Sequence, residues 1–154
     1  MRNLFLAAAL ILAASPALAD DDERMPPIKN AAVVKECGAC HMAFQPQFLP
    51  QRSWQAIMGN LSSHFGEDAS LPGATRAEIE TYLLTNASDG STWRSGFASG
   101  LPADQTPLRI TELPKWKREH REIGGGAWSS AKVKTPANCV ACHAGAASGL
   151  FEDD

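Results

Sequence analysis

The same five-residue pattern, Cys-x-x-Cys-His, occurs twice in this chain, at residues 37–41 and 139–143. The two copies contain all four cysteines and two of the four histidines. Two thiols at this spacing lie on one side of a helical turn, where each can add to a vinyl group of one porphyrin. The histidine that follows can offer an imidazole nitrogen to the iron, so the pattern predicts two covalently bound haem c groups. The predicted thioether residues are Cys37, Cys40, Cys139 and Cys142.

Two other uses of the cysteines fit the same count. Four cysteines in an exported chain can form two disulfides, with the pairing left open, or can build a zinc site from the two cysteine pairs. A disulfide framework gives no reason for a histidine after each second cysteine. Zinc sites of this kind occur mainly in reducing compartments, where free thiols persist. Haem attachment is therefore favoured over both alternatives.

The first 19 residues are typical of a secretory signal peptide. Arg2 supplies the positive start, residues 4–14 are uninterruptedly apolar, and residues 17–19 form a small-x-small cleavage site. The apolar run is too short to cross a bilayer, so a retained membrane anchor is the less favoured interpretation. We expect a mature protein that begins near Asp20 and is soluble in the periplasm, where haem is attached to reduced thiols after export.

Charge and length limit what the mature chain can do. The full sequence has 14 Lys and Arg against 17 Asp and Glu, and the loss of Arg2 with the leader changes the net charge from −3 to −4. This acidity argues against nucleic acid as a partner. The 154 residues less a 19-residue leader leave 135, enough for one domain or two very small ones. Because the protein core is thin, we expect the apoprotein to fold poorly.

Apolar periodicity predicts helices throughout the first half, which we assign to one domain over residues 20–90. The first helix begins near Asn30 and is closed by the first motif. The second runs from Trp54 to Phe65 behind an N-cap at Ser53.

The third predicted helix begins at Thr75, where Glu78 completes a capping box, and ends before Gly90. With the early haem motif, this closing helix makes residues 30–88 resemble a class I cytochrome c domain. The resemblance implies an apolar stripe on the last helix that packs against the first helix and the haem. Class I cytochromes usually offer the iron a methionine from the loop before that helix, but residues 66–74 contain none.

The second half, residues 91–154, is rich in Gly, Ser and Pro and predicts a smaller, loop-rich domain that its haem must organise. Residues 108–111 are expected to be extended, and a helix is expected over residues 113–123. A short helix beginning near Asn138 would then carry the second motif. The predicted fold is all-α, with a class I cytochrome c-like N-terminal domain and this smaller second domain.

Each motif supplies one proximal iron ligand, His41 or His143. The two remaining histidines, His64 and His120, each lie on a predicted helix, one in each half of the chain. Two irons and two spare histidines predict bis-histidine ligation and a low-spin state at both haems. We favour pairing His64 with His41 and His120 with His143, although a crossed arrangement stays open.

The spare histidines also have plain structural explanations. His64 at a helix end would interact with the helix dipole, and His120 lies in a charged stretch typical of a solvated face. Met58 is the main rival ligand, but its place beside apolar neighbours favours core packing. Met25 is expected in a frayed N-terminal tail. The tryptophans are expected to pack against porphyrins or core: Trp54, Trp93, Trp116 and Trp128.

Over nearly all of the mature chain, the sequence resembles the small dihaem cytochrome c family of the bacterial periplasm. The similarity lies in residues 37–44, 54–66, 110–120 and 138–143. It implies a class I-like first domain, an unusual second haem domain, low-spin bis-histidine haems and a role in electron transfer. It also implies two partners, an oxygen-binding class I-type cytochrome and a membrane cytochrome of the b type.

The predicted function is that of a monomeric periplasmic electron carrier between a membrane-bound cytochrome or quinol-linked donor and a soluble redox partner. Six-coordinate irons leave no open position for chemistry, which argues against an enzyme. The alternative is a dihaem enzyme, or a gas- or peroxide-binding protein, with one labile distal ligand. A further alternative is an electron-transfer subunit of a larger complex.

Overall fold

A computed structural model describes residues 24–90 and 96–152. The predicted signal peptide, the acidic run before Arg24, and Trp93 lie outside these ranges. Within them the chain forms α-helices and short 3-10 turns without a β-strand, which confirms the all-α prediction. None of the described helices is long and apolar enough to span a membrane. The α-helices are α1 (Ala31–Cys37), α2 (Gln51–Gly59), α3 (Gly73–Asn86), α4 (Pro114–Glu119) and α5 (Gly125–Trp128).

Helix α1 leads into the first motif. Its N-cap is Asn30, whose Oδ1 accepts a hydrogen bond from the Val33 N–H at 2.9 Å, so the predicted start is confirmed. The helix ends at Cys37, and Gly38 forms its C-cap. The remaining motif residues therefore leave the helix as a turn, which frees the following histidine from the helical direction.

Helix α2 begins earlier than expected, and Ser53 is not its N-cap. The helix starts at Gln51, directly after Pro50, and Ser53 is fully buried inside it. The Gln51 N–H donates to Asp89 Oδ1 at 2.7 Å. A carboxylate from beyond α3 thus satisfies an N-terminal amide of α2, a partner that no local sequence pattern indicates.

The end of α2 decides where His64 lies. The helix stops at Gly59, a poor helix former, and not at the predicted Phe65. His64 instead sits in a tight turn, where its N–H donates to the Glu67 carbonyl at 2.8 Å and its own carbonyl accepts from the Glu67 N–H at 3.1 Å. The two residues inside this turn have positive φ angles, 53° at Phe65 and 103° at Gly66. The prediction that His64 lies on a helix is wrong.

Helix α3 also lacks its predicted capping box. It begins at Gly73, after Pro72, and the Thr75 side chain does not cap it. Glu78 serves a different contact, because its Oε1 accepts from Asn30 Nδ2 at 2.9 Å. The glutamate therefore ties α3 to the start of α1, the helix that leads into the first motif.

The second half has short elements, as its composition predicts. The expected helix over residues 113–123 is only α4, and the expected extended stretch at 108–111 runs into a 3-10 turn at Ile110–Glu112. The second motif carries a 3-10 turn at Cys139–Ala141 in place of the predicted α-helix. Glycines and prolines between these turns limit each to a few residues.

The main apolar core joins both halves of the chain. Helices α2 and α3 provide four of its ten buried members, and Leu113 from the second half is fully buried in the same cluster. Met25 is also there, only 4% exposed, with its N–H donating to the Gly149 carbonyl at 2.7 Å. The expectation that Met25 lies in a frayed tail is wrong. Its buried members are Met25, Val33, Phe48, Leu49, Trp54, Met58, Ile79, Leu83, Ala87 and Leu113.

Candidate haem sites

The first histidine pair joins the first motif to the turn after α2. The ring centres of His41 and His64 lie 6.2 Å apart, and the ring planes differ by 21°. His41 is placed by the turn that follows α1, and His64 by the backbone bonds of its own turn with Glu67. Two segments far apart in sequence thus present imidazoles to a common gap.

The second pair repeats this distance with different elements. The ring centres of His120 and His143 also lie 6.2 Å apart, but the ring planes are nearly perpendicular, at 85°. His120 is the C-cap residue of α4, just beyond the helix, and His143 follows the 3-10 turn of the second motif. The structure therefore brings together the pairs that we favoured, His41 with His64 and His120 with His143.

The ring separation is a test of whether an iron fits between each pair. A linear imidazole–metal–imidazole unit has metal–nitrogen bonds of about 2 Å and ring centres about 1 Å beyond each nitrogen, so its ring centres lie about 6 Å apart. Both measured separations match this value.

In three of the four histidine rings, Nδ1 forms a hydrogen bond with a backbone carbonyl. The ring Nδ1 lies 2.7 Å from the Met42 carbonyl oxygen in His41 and 2.8 Å from the Trp116 carbonyl oxygen in His120. In His143 the Nδ1 to Glu152 oxygen distance is 3.2 Å. A carbonyl oxygen only accepts, so each Nδ1 carries the proton and donates. Nε2 is then left with a lone pair, the form that binds iron.

Comparison with known proteins decides the family. The model of the family described as dihaem cytochrome c matches residues 33–151, most of the chain. The chain belongs to the dihaem cytochrome c family. The predicted cofactors are therefore confirmed, since this family carries two covalently bound haem c groups and the four cysteines are present. Membership also makes the chain an electron-transfer haem protein.

Solved structures of this family resemble the chain over most of its length. The diheme cytochrome c from Rhodobacter sphaeroides is 44% identical, with a TM-score of 0.76, over 82% of this chain and 100% of that one. The crystal structure of DHC purified from Rhodobacter sphaeroides is 45% identical, with a TM-score of 0.68, over 81% and 99% of the two chains.

A more distant match is the diheme cytochrome type c from Shewanella baltica OS155. It is 35% identical, with a TM-score of 0.66, over 80% of this chain and 87% of that one. No curated protein matches the sequence. The family and its helical fold thus rest on agreement between the sequence pattern and solved relatives.

The four cysteines of the motifs form no disulfide with one another. Cys40 and Cys142 are exposed, whereas Cys37 and Cys139 are partly covered. Burial raises the pKa of the Cys37 thiol, and it raises that of Cys139 to about 11. Among the described residues, no three His, Cys, Asp or Glu side chains cluster as a metal site.

Aromatic rings and one arginine surround the first pair. Phe44 stacks on His41 at 5.1 Å, and Phe65 meets His64 edge-on at 4.8 Å. The Arg109 guanidinium lies 4.1 Å above the Phe65 ring. Burial lowers the pKa of His64, and the charges of His41 and Arg109 lower it further. The ring is thereby kept neutral, as an iron ligand must be.

Tryptophans surround the second pair. The ring of Trp116 lies parallel to His120, with centres 4.4 Å apart and planes at 15°, and the Trp128 ring centre lies 5.8 Å from that of His120. On the opposite side, Phe151 meets His143 at 5.9 Å.

The expectation for the tryptophans is confirmed in part, because Trp54 packs in the core. Met58, the rival ligand, is also buried there, only 4% exposed.

The sequence reasoning missed the role of Arg109 and Phe65. Arg109 comes from the second half of the chain but contacts the turn that carries His64. A lone arginine before a short turn has no sequence signal of its own. Phe65 had a signal, its position directly after a candidate ligand, but it was counted as the end of a helix.

Proposed function

We propose that this dihaem cytochrome c is a periplasmic electron carrier in which two histidines hold each iron, His41 with His64 and His143 with His120. The observation that carries the proposal is the 6.2 Å ring separation found in both pairs. Haem iron supplies a one-electron ferric–ferrous couple. Four imidazoles fill all axial positions, so no position is left open for a substrate, which supports a carrier over an enzyme.

The cysteines have a fixed place in this proposal. Cys37 and Cys40 attach the first haem, and Cys139 and Cys142 attach the second. The two attachment points precede their proximal histidines directly, so each porphyrin is held on the same side as its first ligand. The hydrogen bond that Nδ1 of each proximal ring donates to a backbone carbonyl then fixes the ring direction and increases the basicity of the nitrogen that faces iron.

Location and partners follow from the leader and the family resemblance. The leader supports export to the periplasm. We propose a membrane-bound b-type cytochrome or quinol-linked donor, and a soluble acceptor such as an oxygen-binding class I-type cytochrome. The carrier would act as a monomer with two haem domains, residues 20–90 and 91–154.

The spin state of two ligand variants tests the proposal. His64→Ala and His120→Ala should each convert one haem, and only one, to a high-spin form that binds carbon monoxide, because each removes one distal ligand. Optical and magnetic spectra in both oxidation states measure this. Met58→Leu is the control and should keep both haems low-spin. Two low-spin haems in either histidine variant would show that the ligand assignment is wrong.

A ligand-binding function is the second candidate, and one observation locates it at the first haem. Within the described chain the ring of His64 has no hydrogen-bond acceptor, whereas His120 donates to the Trp116 carbonyl. His64 is therefore the ligand that leaves more easily. Fast carbon monoxide binding by the unmodified ferrous protein would favour this function over a closed carrier.

A further inference from the structure

The charge of the chain is divided unevenly between the two haem sites. Residues 24–90 contain five Lys and Arg against six Asp and Glu, a net charge of −1. Residues 96–152 contain seven Lys and Arg against five Asp and Glu, a net charge of +2. The overall acidity of the sequence thus hides a basic second half.

Two lysines of this region are fixed beside the second motif. Lys132 and Lys134 flank Val133, whose carbonyl accepts a hydrogen bond from Asn138 Nδ2 at 3.0 Å. Asn138 directly precedes Cys139, the first attachment residue of the second haem. Both lysines are exposed, and no carboxylate in the described residues pairs with either. Their charge is therefore open to solvent next to the haem attachment point.

The backbone at one of these lysines is unusual. Lys134 has a φ of 65°, in the left-handed region that favours glycine. Its N–H donates to the Ser130 carbonyl at 2.8 Å, which holds the residue in that conformation. Glycine would adopt this φ with less strain than lysine. What lysine adds at this position is an exposed ammonium group.

Three further basic residues flank the distal ligand of the second site. Lys117 and Arg118 precede His120 on α4, and Arg121 follows it, and all three are exposed. Arg118 pairs with Glu119 and Arg121 with Glu122, in exposed ion pairs that add little stability and leave both guanidinium groups at the surface. Lys117 has no ion pair within the described residues. The two groups lie on segments that meet at the second histidine pair, and we call their five exposed residues the basic face: Lys117, Arg118, Arg121, Lys132 and Lys134.

We propose that the basic face is the docking surface for an acidic redox protein, which exchanges electrons with the second haem. The first haem, in a region of net charge −1, would serve a different partner. This proposal rests on the electron-carrier function. Complementary charges raise association rates and fix orientation, and salt weakens both effects. Electrons would thus enter and leave at opposite haems, with the second haem assigned to the acidic partner.

Stopped-flow reduction by flavodoxin hydroquinone, an acidic protein donor, tests the basic face. Each ferric iron gains one electron as the anionic flavin hydroquinone becomes the neutral semiquinone. In the charge-reversal variant Lys132→Glu/Lys134→Glu, the second-order rate constant at low salt should fall about tenfold, because attraction becomes repulsion. The matched control is Lys29→Glu/Lys35→Glu, the same charge change ahead of the first motif, and it should alter the rate about twofold or less.

Lys117→Glu, on α4, is a second independent variant and should also slow the reaction. The difference between variants should shrink as salt rises. Midpoint potentials measured on the same proteins separate docking from driving force. Equal rate losses in the Lys132/Lys134 variant and the Lys29/Lys35 control would overturn the docking surface. Low-spin spectra that persist in that case would leave the carrier function intact, whereas carbon monoxide binding by the unmodified protein would count against the carrier itself.

Discussion

The two histidine pairs share a distance but differ in orientation. Both ring separations are 6.2 Å, whereas the ring planes differ by 21° in the first pair and 85° in the second. An iron between two imidazoles fixes their separation but leaves rotation about the bond free. The surrounding chain therefore sets the angle, and the two surroundings are different.

At the second site the ring of His120 is held on two sides. It lies parallel to Trp116 and its Nδ1 donates to the carbonyl of the same residue at 2.8 Å. At the first site His64 sits in a turn beside Phe65, which is 46% exposed. The first distal ligand is thus held mainly by backbone, and the second by stacking and a ring hydrogen bond. We expect the second ligand to be the more firmly placed.

The largest expected difference between the halves is their dependence on haem. Cys139→Ser/Cys142→Ser should remove one haem and make residues 108–152 exchange amide hydrogens freely, because few apolar side chains of that region are buried. Cys37→Ser/Cys40→Ser should leave α2 and α3 more protected, since they share the main core. Hydrogen exchange read by mass spectrometry measures both. Equal loss of protection in α2 and α3 in the two variants would remove this distinction.

The next effect concerns Arg109, whose positive charge lies beside the first haem site. Arg109→Gln should lower the reduction potential of the first haem by about 40 mV, which is about 1 kcal/mol for one electron, because a positive charge near the iron favours the ferrous form. The second haem should hardly change. Spectroelectrochemical titration resolves the two potentials.

Two variants control the arginine experiment. Arg109→Lys should keep most of the potential, because it keeps the charge. Arg76→Gln removes an arginine that pairs with Glu80 on α3 at 2.9 Å, and it should leave both potentials nearly unchanged. An Arg109→Gln shift that is equal at both haems would contradict a local effect at the first site.

The smallest expected effect compares Phe65 and Lys134, which are the non-glycine residues with positive φ in the described part of the chain and lie one near each site. Lys134→Gly should raise the free energy of unfolding by about 1 kcal/mol, because glycine adopts a φ of 65° without strain. Phe65→Gly gains the same backbone relief but loses the contacts with His64 and Arg109, so it should not stabilise the protein. Chemical denaturation curves of both variants measure the difference. Stabilisation by Phe65→Gly would mean that these ring contacts contribute little.

The sequence predicted the chemistry of this chain better than its local geometry. Covalent haem attachment needs two thiols and a histidine at a fixed spacing, so the cofactors follow from the motif alone. The predicted starts of α2 and α3 were wrong because the groups that fix these starts are distant in sequence. Asp89 satisfies the first amide of α2, and Glu78 bonds Asn30 on another helix.

The sequence predicted how many distal histidines there are, but not where they lie. Two spare histidines matched two irons, but their approach depends on a turn after Gly59 and on the early end of α4. Gly59 marks the end of α2, although the apolar pattern continues past it, whereas the end of α4 has no strong local signal. Arg109 could not be predicted at all, because its contact with Phe65 joins the two halves of the chain.

Electron paramagnetic resonance of the oxidised, unmodified protein tests the central claim most directly. Nearly parallel imidazole planes give a low-spin ferric signal of ordinary rhombic shape, and nearly perpendicular planes give a strongly anisotropic one. We predict one signal of each kind in equal amounts, from His41 with His64 and from His120 with His143. A high-spin signal, or two low-spin signals of the same shape, would contradict two closed sites that differ in ligand orientation.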